Sequence, residues 1–172
     1  MKSDAVIEVF LQPGEYFVGD AGYRIRTLLG SCVSITLWHP ASHMGAMTHF
    51  LLPTRSAVRR GEPPDGRYGD EALDLILAEL KSLGVVPTEC QAKIFGGGDM
   101  FPQYAQSGGI HVGRRNGEAA RELLRVHGVH VLSESLFGIG HRQIIFTLSN
   151  GDVWQRQDGP PTYLDSSNED EP

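Results

Sequence analysis

Cys32 and His49 are the two residues of this chain whose types and spacing could support nucleophilic chemistry. Cys32 follows Gly30-Ser31 at the start of an apolar run, and His49 lies further along in the next such run. A cysteine becomes a thiolate at neutral pH only beside a base or a positive group, and histidine is the usual partner. Two strands joined by a short turn could bring the two side chains together, but the sequence leaves the register open. A structural cysteine and a core histidine remain the simpler alternative from the residue types alone.

The Gly30-Ser31 dipeptide indicates how such a site could stabilise developing charge. Glycine permits a sharp turn and a close approach of two backbone segments. A turn of this kind exposes backbone N–H groups, which can hold the oxyanion of a tetrahedral intermediate. We therefore regard Gly30 and Ser31 as candidate oxyanion and turn residues.

The other candidate groups do not indicate a second site. Cys90 has no histidine in its local segment, so we expect an inert thiol there. His39 and His43 are four residues apart, but Pro40 argues against a helix that would aim both at one metal ion. The run Gly96-Gly97-Gly98 lacks the spacing of a phosphate-binding loop and favours a turn with close backbone packing. We expect no metal and no organic cofactor.

The elements that position these residues follow from the hydrophobic periodicity. Alternation and short apolar runs predict strands, leucines at helical spacing predict two helices, and Asn150-Gly151 predicts a hairpin. The order predicts a mixed α/β domain with its helices on one side of a sheet. The predicted strands are 5–11, 15–18, 22–29, 32–38, 45–52, 90–95, 129–136, 142–148 and 152–156; the predicted helices are 70–83, capped by Asp70, and 117–127, capped by Asn116.

Composition places these elements in one ordinary globular domain. The chain has 172 residues, of which 40% are hydrophobic and 21% charged. No apolar run approaches the roughly 18–20 residues needed to span a membrane. The beginning of the chain does not have the pattern of a signal peptide, so we expect a cytoplasmic location with free thiols.

Charge is distributed unevenly along the chain. The formal net charge is −6, and the segment 158–172 holds five acidic residues and no lysine or arginine. We expect a domain over 1–157 and a solvated, disordered acidic tail over 158–172. The nearly neutral body argues against nucleic-acid binding. The polar segment 54–69, with Arg55, Arg59, Arg60 and Arg67, is expected to be a long loop, either disordered or bordering a binding surface.

Four strings, taken together, resemble one known family. They are TLLGSCV at 27–33, GAMTHFLLP at 45–53, AKIFGGG at 92–98 and IHVGRRN at 110–116. In this order and at this separation they resemble CheD, the chemoreceptor glutamine deamidase family of bacterial chemotaxis. The resemblance implies a three-layer α/β/β sandwich with mixed sheets, a fold shared with other cysteine hydrolases.

The resemblance also implies a Cys–His–Thr triad, with Cys32 as nucleophile and His49 as base. The family's commonest pattern, TLGLGSC, has one residue more than the TLLGSC of this chain. An ungapped alignment places Arg26 at the threonine position, whereas a one-residue deletion keeps Thr27 there. A slip of one residue turns a strand side chain to the opposite face. We prefer Thr27, because an arginine cannot accept a hydrogen bond from the imidazole.

The activity implied by the resemblance is deamidation of receptor glutamines to glutamate, with release of ammonia through a thioester. The substrate would be the cytoplasmic helices of chemoreceptors, and a CheC-type phosphatase would be a further partner. The arginines of segment 54–69 could face the acidic surface of the receptor. An alternative function is a regulatory adaptor that binds a CheC-type phosphatase and has little catalysis of its own. A cysteine hydrolase with another amide substrate is a third possibility.

Overall fold

A computed structural model describes residues 5–57, 60–103 and 111–158. Within these residues the chain forms nine strands, two α-helices and a 3₁₀ turn. In chain order they are β1 (Ile7–Phe10), β2 (Tyr16–Gly19), β3 (Tyr23–Leu29), β4 (Val33–His39), β5 (Met44–Thr48), α1 (Gly69–Ser82), the 3₁₀ turn (Pro87–Glu89), β6 (Gln91–Gly96), α2 (Val112–Val126), β7 (His130–Leu136), β8 (His141–Thr147) and β9 (Val153–Asp158).

The strands form two sheets, which with the helices make three layers. One sheet has the order β1-β3-β8-β9 and the other β2-β5-β4-β6-β7. Both are mixed, because β1–β3 and β6–β7 are parallel pairs and the remaining pairs are antiparallel. Helices α1 and α2 pack on the five-stranded sheet, and the four-stranded sheet covers its other face. The expected α/β/β sandwich is confirmed, and the helices lie on one side as predicted.

Strand β4 explains why the five-stranded sheet has two buried faces. Val33, Ile35 and Leu37 belong to the core beneath the helices. The alternate side chains of a strand point to the opposite face, and Trp38 and the preceding Cys32 accordingly border the core between the sheets. The side chains on one face of β4 are therefore covered by the helices and those on the other face by the four-stranded sheet. A single sheet with helices on one side would leave the second face exposed.

Helix α2 begins five residues earlier than the sequence predicts. Asn116 is therefore a buried residue inside the helix and not its N-cap, and the N-cap position is His111. The first turn, with Gly113, Arg114 and Arg115, carries no apolar periodicity, so nothing local marks it as helical. Its cause is tertiary, because Gly113 lies directly against the carbonyl groups of Gly97 and Gly98.

Helix α1 also starts differently from the prediction. Gly69 is its first residue and Tyr68 occupies the N-cap position, without a side-chain capping bond. Asp70 lies in the first turn, where the negative charge of a carboxylate interacts favourably with the positive end of the helix dipole. Its carboxylate also accepts a hydrogen bond from the Thr54 hydroxyl at 2.8 Å.

The segment that precedes α1 is held by ion pairs in its described part. Arg55 contacts Glu71 at 2.7 Å and also pairs with Glu62. Arg67 contacts Asp65 at 2.6 Å. Two of the four arginines expected to face an acidic partner are thus already bound to carboxylates of their own segment or of α1, whereas Val58 and Arg59 lie outside the described residues.

The last described strand, β9, is slightly longer than the predicted strand. Strand β9 runs to Asp158, two residues beyond the predicted strand. Asp158 pairs with Arg156 and lies 3.4 Å from His141. The remainder of the predicted tail, 159–172, lies outside the described residues.

Candidate active site

Thr27 and His49 meet in the interior between the two sheets. Thr27 lies on β3 in phase with the buried Ile25 and Leu29, and its side chain is fully buried. Its hydroxyl oxygen lies 2.7 Å from Nδ1 of His49 and 2.9 Å from the carbonyl oxygen of Leu11. His49 follows the end of β5 and is 2% exposed. A contact between residues 22 positions apart therefore joins the two sheets.

This contact determines which nitrogen of the imidazole carries the proton. A hydroxyl has one proton to donate, and the carbonyl of Leu11 can only accept it. The Thr27 oxygen must then accept a hydrogen bond from Nδ1–H of His49. In a neutral ring the proton on Nδ1 leaves Nε2 with its lone pair free, and Nε2 is thus the basic atom.

The alternative residue, Arg26, points away from this interior. It lies one position earlier on β3, and in a strand consecutive side chains face opposite sides. Its guanidinium is 3.9 Å from the carboxylate of Glu8, and its side chain is 37% exposed. Arg26 therefore lies on the outer face of the four-stranded sheet, whereas Thr27 contacts the imidazole.

The register of β4 and β5 places Cys32 on the same face as His49. Val33 and Phe50 form a bridge with backbone hydrogen bonds of 3.1 and 3.0 Å, in the same register as the strands beyond it. Ser34 consequently lies opposite His49, and Cys32 is its diagonal neighbour. Diagonal neighbours on one face have Cα atoms about 7–8 Å apart, within reach of long side chains. Cys32 itself is half-buried.

The glycine run holds the backbone on either side of Cys32. Gly97 N–H donates to the Cys32 carbonyl and Gly98 N–H donates to the Gly30 carbonyl, both at 2.9 Å. Gly96 has φ +113°, and a Cβ there would lie 2.2 Å from the Cys32 carbonyl oxygen. No other residue type fits such an approach. The prediction of a turn with close backbone packing is correct for this segment.

Gly30 and Ser31 form the bend that carries the chain from β3 in one sheet to β4 in the other. A Cβ at Gly30 would lie 3.1 Å from the sulfur of Met100, so a larger residue here would have to displace the Met100 side chain. The N–H of the next strand residue, Val33, is already bonded to Phe50. The Val33 N–H is therefore not free to bind an oxyanion.

Burial favours the neutral forms of both Cys32 and His49. Desolvation lowers the pKa of His49 to about 4, because the charged imidazolium loses its hydration in this interior. Burial also raises the pKa of the Cys32 thiol, and a hydrogen bond from its own backbone opposes that effect. The pair is consequently a neutral thiol and a neutral imidazole at neutral pH.

Two further buried polar residues near the site were missed by the sequence analysis. Ser34, opposite His49, has a buried hydroxyl with no hydrogen-bond partner within the described part of the chain. Arg142 on β8 is 1% exposed and donates to the carbonyls of Gly96, at 3.0 Å, and Phe137. The signal for Arg142 was available, because it alternates in phase with the inward-facing Ile144 and Phe146.

Neither a metal-binding cluster nor a membrane-spanning helix occurs in the described residues. In 5–57, 60–103 and 111–158 no group of three or more His, Cys, Asp or Glu side chains is arranged to hold a metal ion. Over the same residues no helix has the length and apolar character to cross a membrane. His39, one of the histidines considered for a metal, instead contacts Glu89 at 2.9 Å and Ser42 at 2.6 Å.

A three-layer sandwich with a thiol and an oriented, neutral imidazole on one interior face has the components of a cysteine-dependent hydrolase. Comparison with known proteins gives the family. The family model for CheD chemotactic sensory transduction matches residues 51–157, and the chain belongs to the CheD family. The resemblance stated from the four sequence strings is confirmed.

Curated relatives match over most of their length. A protein of Albidiferax ferrireducens named "Probable chemoreceptor glutamine deamidase CheD 2" is 68% identical over 151 residues, which are 88% of this chain and 87% of the relative. A protein of Pseudomonas savastanoi pv. phaseolicola named "Probable chemoreceptor glutamine deamidase CheD" is 45% identical over 152 residues, 88% and 85% of the two chains. A crystal structure of a Neisseria meningitidis protein has a TM-score of 0.38 at 16% identity, covering 72% of this chain and 52% of that one.

Proposed function

We propose that this protein hydrolyses the side-chain amide of specific glutamines in chemoreceptors, leaving glutamate and releasing ammonia. The names of the curated relatives support this substrate. The observation that carries the proposal is the 2.7 Å contact between Thr27 and Nδ1 of His49, which leaves Nε2 basic on the face that Cys32 shares. A regulatory adaptor without catalysis would have no use for an imidazole held in this tautomer.

In the first half of the reaction, Nε2 of His49 takes the proton of the Cys32 thiol. The sulfur attacks the side-chain carbonyl carbon of the substrate glutamine, and the carbonyl π electrons move to the oxygen. Backbone N–H groups at Ser31 and Cys32 hold that oxyanion, as in other acyl-transfer sites. The imidazolium, formed next to Thr27, passes its proton to the nitrogen. The carbon–nitrogen bond then breaks, ammonia leaves and a thioester to Cys32 remains.

The second half of the reaction repeats these roles with water. Nε2 of His49 removes a proton from a water molecule, and the resulting hydroxide attacks the thioester carbon. The carbon–sulfur bond breaks, glutamate leaves, and the proton held by His49 returns to the Cys32 sulfur. Every proton and bond is accounted for by water and these side chains, so the reaction requires no metal or organic cofactor.

We further infer where the protein works and with what. The catalytic domain would span residues 1–157, followed by the acidic tail 158–172. A cytoplasmic location follows from the proposed substrate, the cytoplasmic helices of chemoreceptors. A CheC-type phosphatase is a second partner, inferred from the family resemblance.

Deamidation of a purified receptor cytoplasmic fragment tests the function and the nucleophile together. Wild-type protein should release ammonia, and peptide mass spectrometry should locate the Gln-to-Glu shift at particular residues. Cys32→Ala should release none, because a covalent pathway has no substitute nucleophile here. Cys90→Ser is the matched control, since it alters the other thiol of the chain. Ammonia release by a folded Cys32→Ala protein would refute the assignment.

A further inference from the structure

Asn116 joins the two chain segments that carry Cys32 and His49. It lies inside α2 and is fully buried. Its Nδ2 donates to the carbonyl of Ser31 at 3.0 Å and to the carbonyl of Leu51 at 2.8 Å. Ser31 directly precedes Cys32, and Leu51 lies two residues beyond His49. One side-chain amide therefore uses both of its N–H donors to connect the two segments.

The two acceptors determine the orientation of this amide. Only the NH₂ end can face two carbonyl oxygens, so Oδ1 must point elsewhere. Oδ1 of Asn116 is buried and has no hydrogen-bond partner in the part of the chain that the structure describes. A buried acceptor without a partner lowers stability. An apolar side chain would fill the same volume without that cost, and space-filling alone therefore does not explain an asparagine here.

The contact lies just beyond the end of backbone pairing between the two segments. Val33 and Phe50 form the last direct bridge, with two backbone hydrogen bonds. Beyond that bridge Ser31 turns back toward β3 in the other sheet. At the position where the next backbone hydrogen bond would form, the Asn116 side chain donates to one carbonyl of each segment, those of Ser31 and Leu51.

The approach of α2 to this point depends on two glycines. A Cβ at Gly113 would lie 2.5 Å from the carbonyl oxygen of Gly98, and one at Gly117 would lie 2.5 Å from the ring of Phe137. Gly113 and Gly117 flank Asn116 on the buried face of the helix. They let the helix come close enough for a short amide side chain to reach both carbonyls.

We propose that Asn116 is a positioning residue for the reaction, an inference that rests on the proposed function. Its amide sets the separation between the segment of Cys32 and the segment of His49, so that Nε2 stays within reach of the thiol. Misplacing a reacting group by a small distance can cost about 100-fold in rate. Loss of the amide should therefore lower kcat and leave receptor binding, and hence KM, almost unchanged.

Two variants and a matched control test this role. Asn116→Asp keeps the shape and removes both N–H donors, and Asn116→Ala removes the whole amide. Trp38→Phe is the control, because it also deletes a side-chain N–H donor to a backbone carbonyl, that of Leu148 at 2.8 Å. Trp38 lies at the opposite end of β4 from Cys32. The readouts are kcat and KM with the receptor fragment, and the rate of Cys32 alkylation by iodoacetamide against pH.

We expect both Asn116 variants to lose about 10- to 100-fold in kcat, scaled to the folded fraction, with KM within about threefold. Alkylation of Cys32 near neutral pH should slow in both variants, because the base no longer sits beside the thiol. Trp38→Phe should leave kcat and alkylation unchanged.

Folded Asn116 variants with wild-type kcat and alkylation would overturn the positioning role. Failure of both variants to fold would also overturn it, since stability would then account for the residue. Activity in folded Cys32→Ala would instead refute the proposed function, whatever the Asn116 variants do.

Discussion

The two buried faces of the five-stranded sheet contain different kinds of residue. The face beneath the helices is apolar, with Val33, Ile35 and Leu37 of β4 packed against leucines of α1 and α2. The face toward the other sheet carries the Cys32 thiol and the His49 imidazole among its apolar residues. The adjacent residues Cys32 and Val33 thus face two different cores, the first containing the candidate site and the second apolar.

This difference shows what the second sheet contributes to the site. A sheet covered by helices on one face would leave the other face in water, where an imidazole keeps its ordinary pKa. The four-stranded sheet removes that water and supplies Thr27 as the partner of His49. Desolvation then keeps both the His49 imidazole and the Cys32 thiol neutral.

Among substitutions that distinguish the two faces, we expect the largest loss of activity at Thr27. Thr27→Val keeps the shape of the side chain and removes the hydroxyl, so Nδ1 of His49 loses its acceptor. We expect turnover, measured as ammonia release, to fall by roughly 10- to 1,000-fold, as for loss of a positioned acid–base element. Thr27→Ser, which keeps the hydroxyl, should retain most of the activity.

Arg26→Ala is the control for this prediction, because Arg26 lies on the outer face of the same strand. Its effect should be mild. If Arg26→Ala lowered turnover more than Thr27→Val, Thr27 could not be the residue that orients His49.

A substitution on the face of the sheet beneath the helices should lower stability and leave activity unchanged. Ile35→Ala opens a cavity in a fully buried position, and such changes cost about 2–5 kcal/mol of unfolding free energy. Its neighbours Ser34 and Thr36 point to the other face, so kcat per folded molecule should stay at the wild-type level. Urea unfolding and ammonia release at a low temperature measure the two quantities. A loss of kcat comparable to that of Thr27→Val would mean that the faces are not independent.

The pH dependence of the unfolding free energy should show that His49 is desolvated between the two sheets. The pKa of His49 is about 4 in the folded protein and 6.5 as its ordinary value. Because the folded pKa is the lower one, the unfolded chain takes up a proton first as the pH falls. The stabilisation is fully present above about pH 6.5 and is lost progressively toward pH 4, by ~3 kcal/mol at most.

Comparison of wild type with His49→Gln isolates this contribution from the other histidines. Urea unfolding at pH 7 and at pH 4.5 gives the free energy of unfolding for each. Wild type should lose more stability than His49→Gln over this interval. Equal losses would show that His49 titrates normally and that its surroundings are wet.

The smallest effect is expected at the second cysteine, Cys90. The residue is 3% exposed and belongs to the helix-facing core, and burial together with Glu89 raises the pKa of its thiol to about 11. Cys90→Ser should leave turnover within about threefold and cost about 1 kcal/mol of stability. Limited alkylation followed by peptide mapping should label the half-buried Cys32 first. Faster labelling of Cys90 than of Cys32 would mean that the reactive thiol lies in the helix-facing core, which would contradict the proposed site.

Local patterns in the sequence were sufficient for most of the elements. The alternation over 32–38 and 142–148 predicts β4 and β8 to within one residue, because successive side chains of any strand point to opposite faces whatever it pairs with. The leucines of α1 likewise place that helix to within one residue. The motif strings that contain Cys32 and His49 pointed to the family on their own.

Contacts made over long distances in the chain could not be obtained in this way. The first turn of α2 has no apolar pattern, and the helix forms there because Gly113 packs against the glycine run. Asn116 was assigned to a cap for the same reason, although it in fact connects Ser31 and Leu51.

The sequence by itself determined the groups available for chemistry, a thiol, an imidazole and a choice between Thr27 and Arg26. Only the tertiary structure decided between the last two and set the protonation of the pair. The physical reason is that alternation constrains side chains a few residues apart. The 2.7 Å contact between Thr27 and His49 depends on the register of two different sheets, and their neutral state depends on the water those sheets exclude.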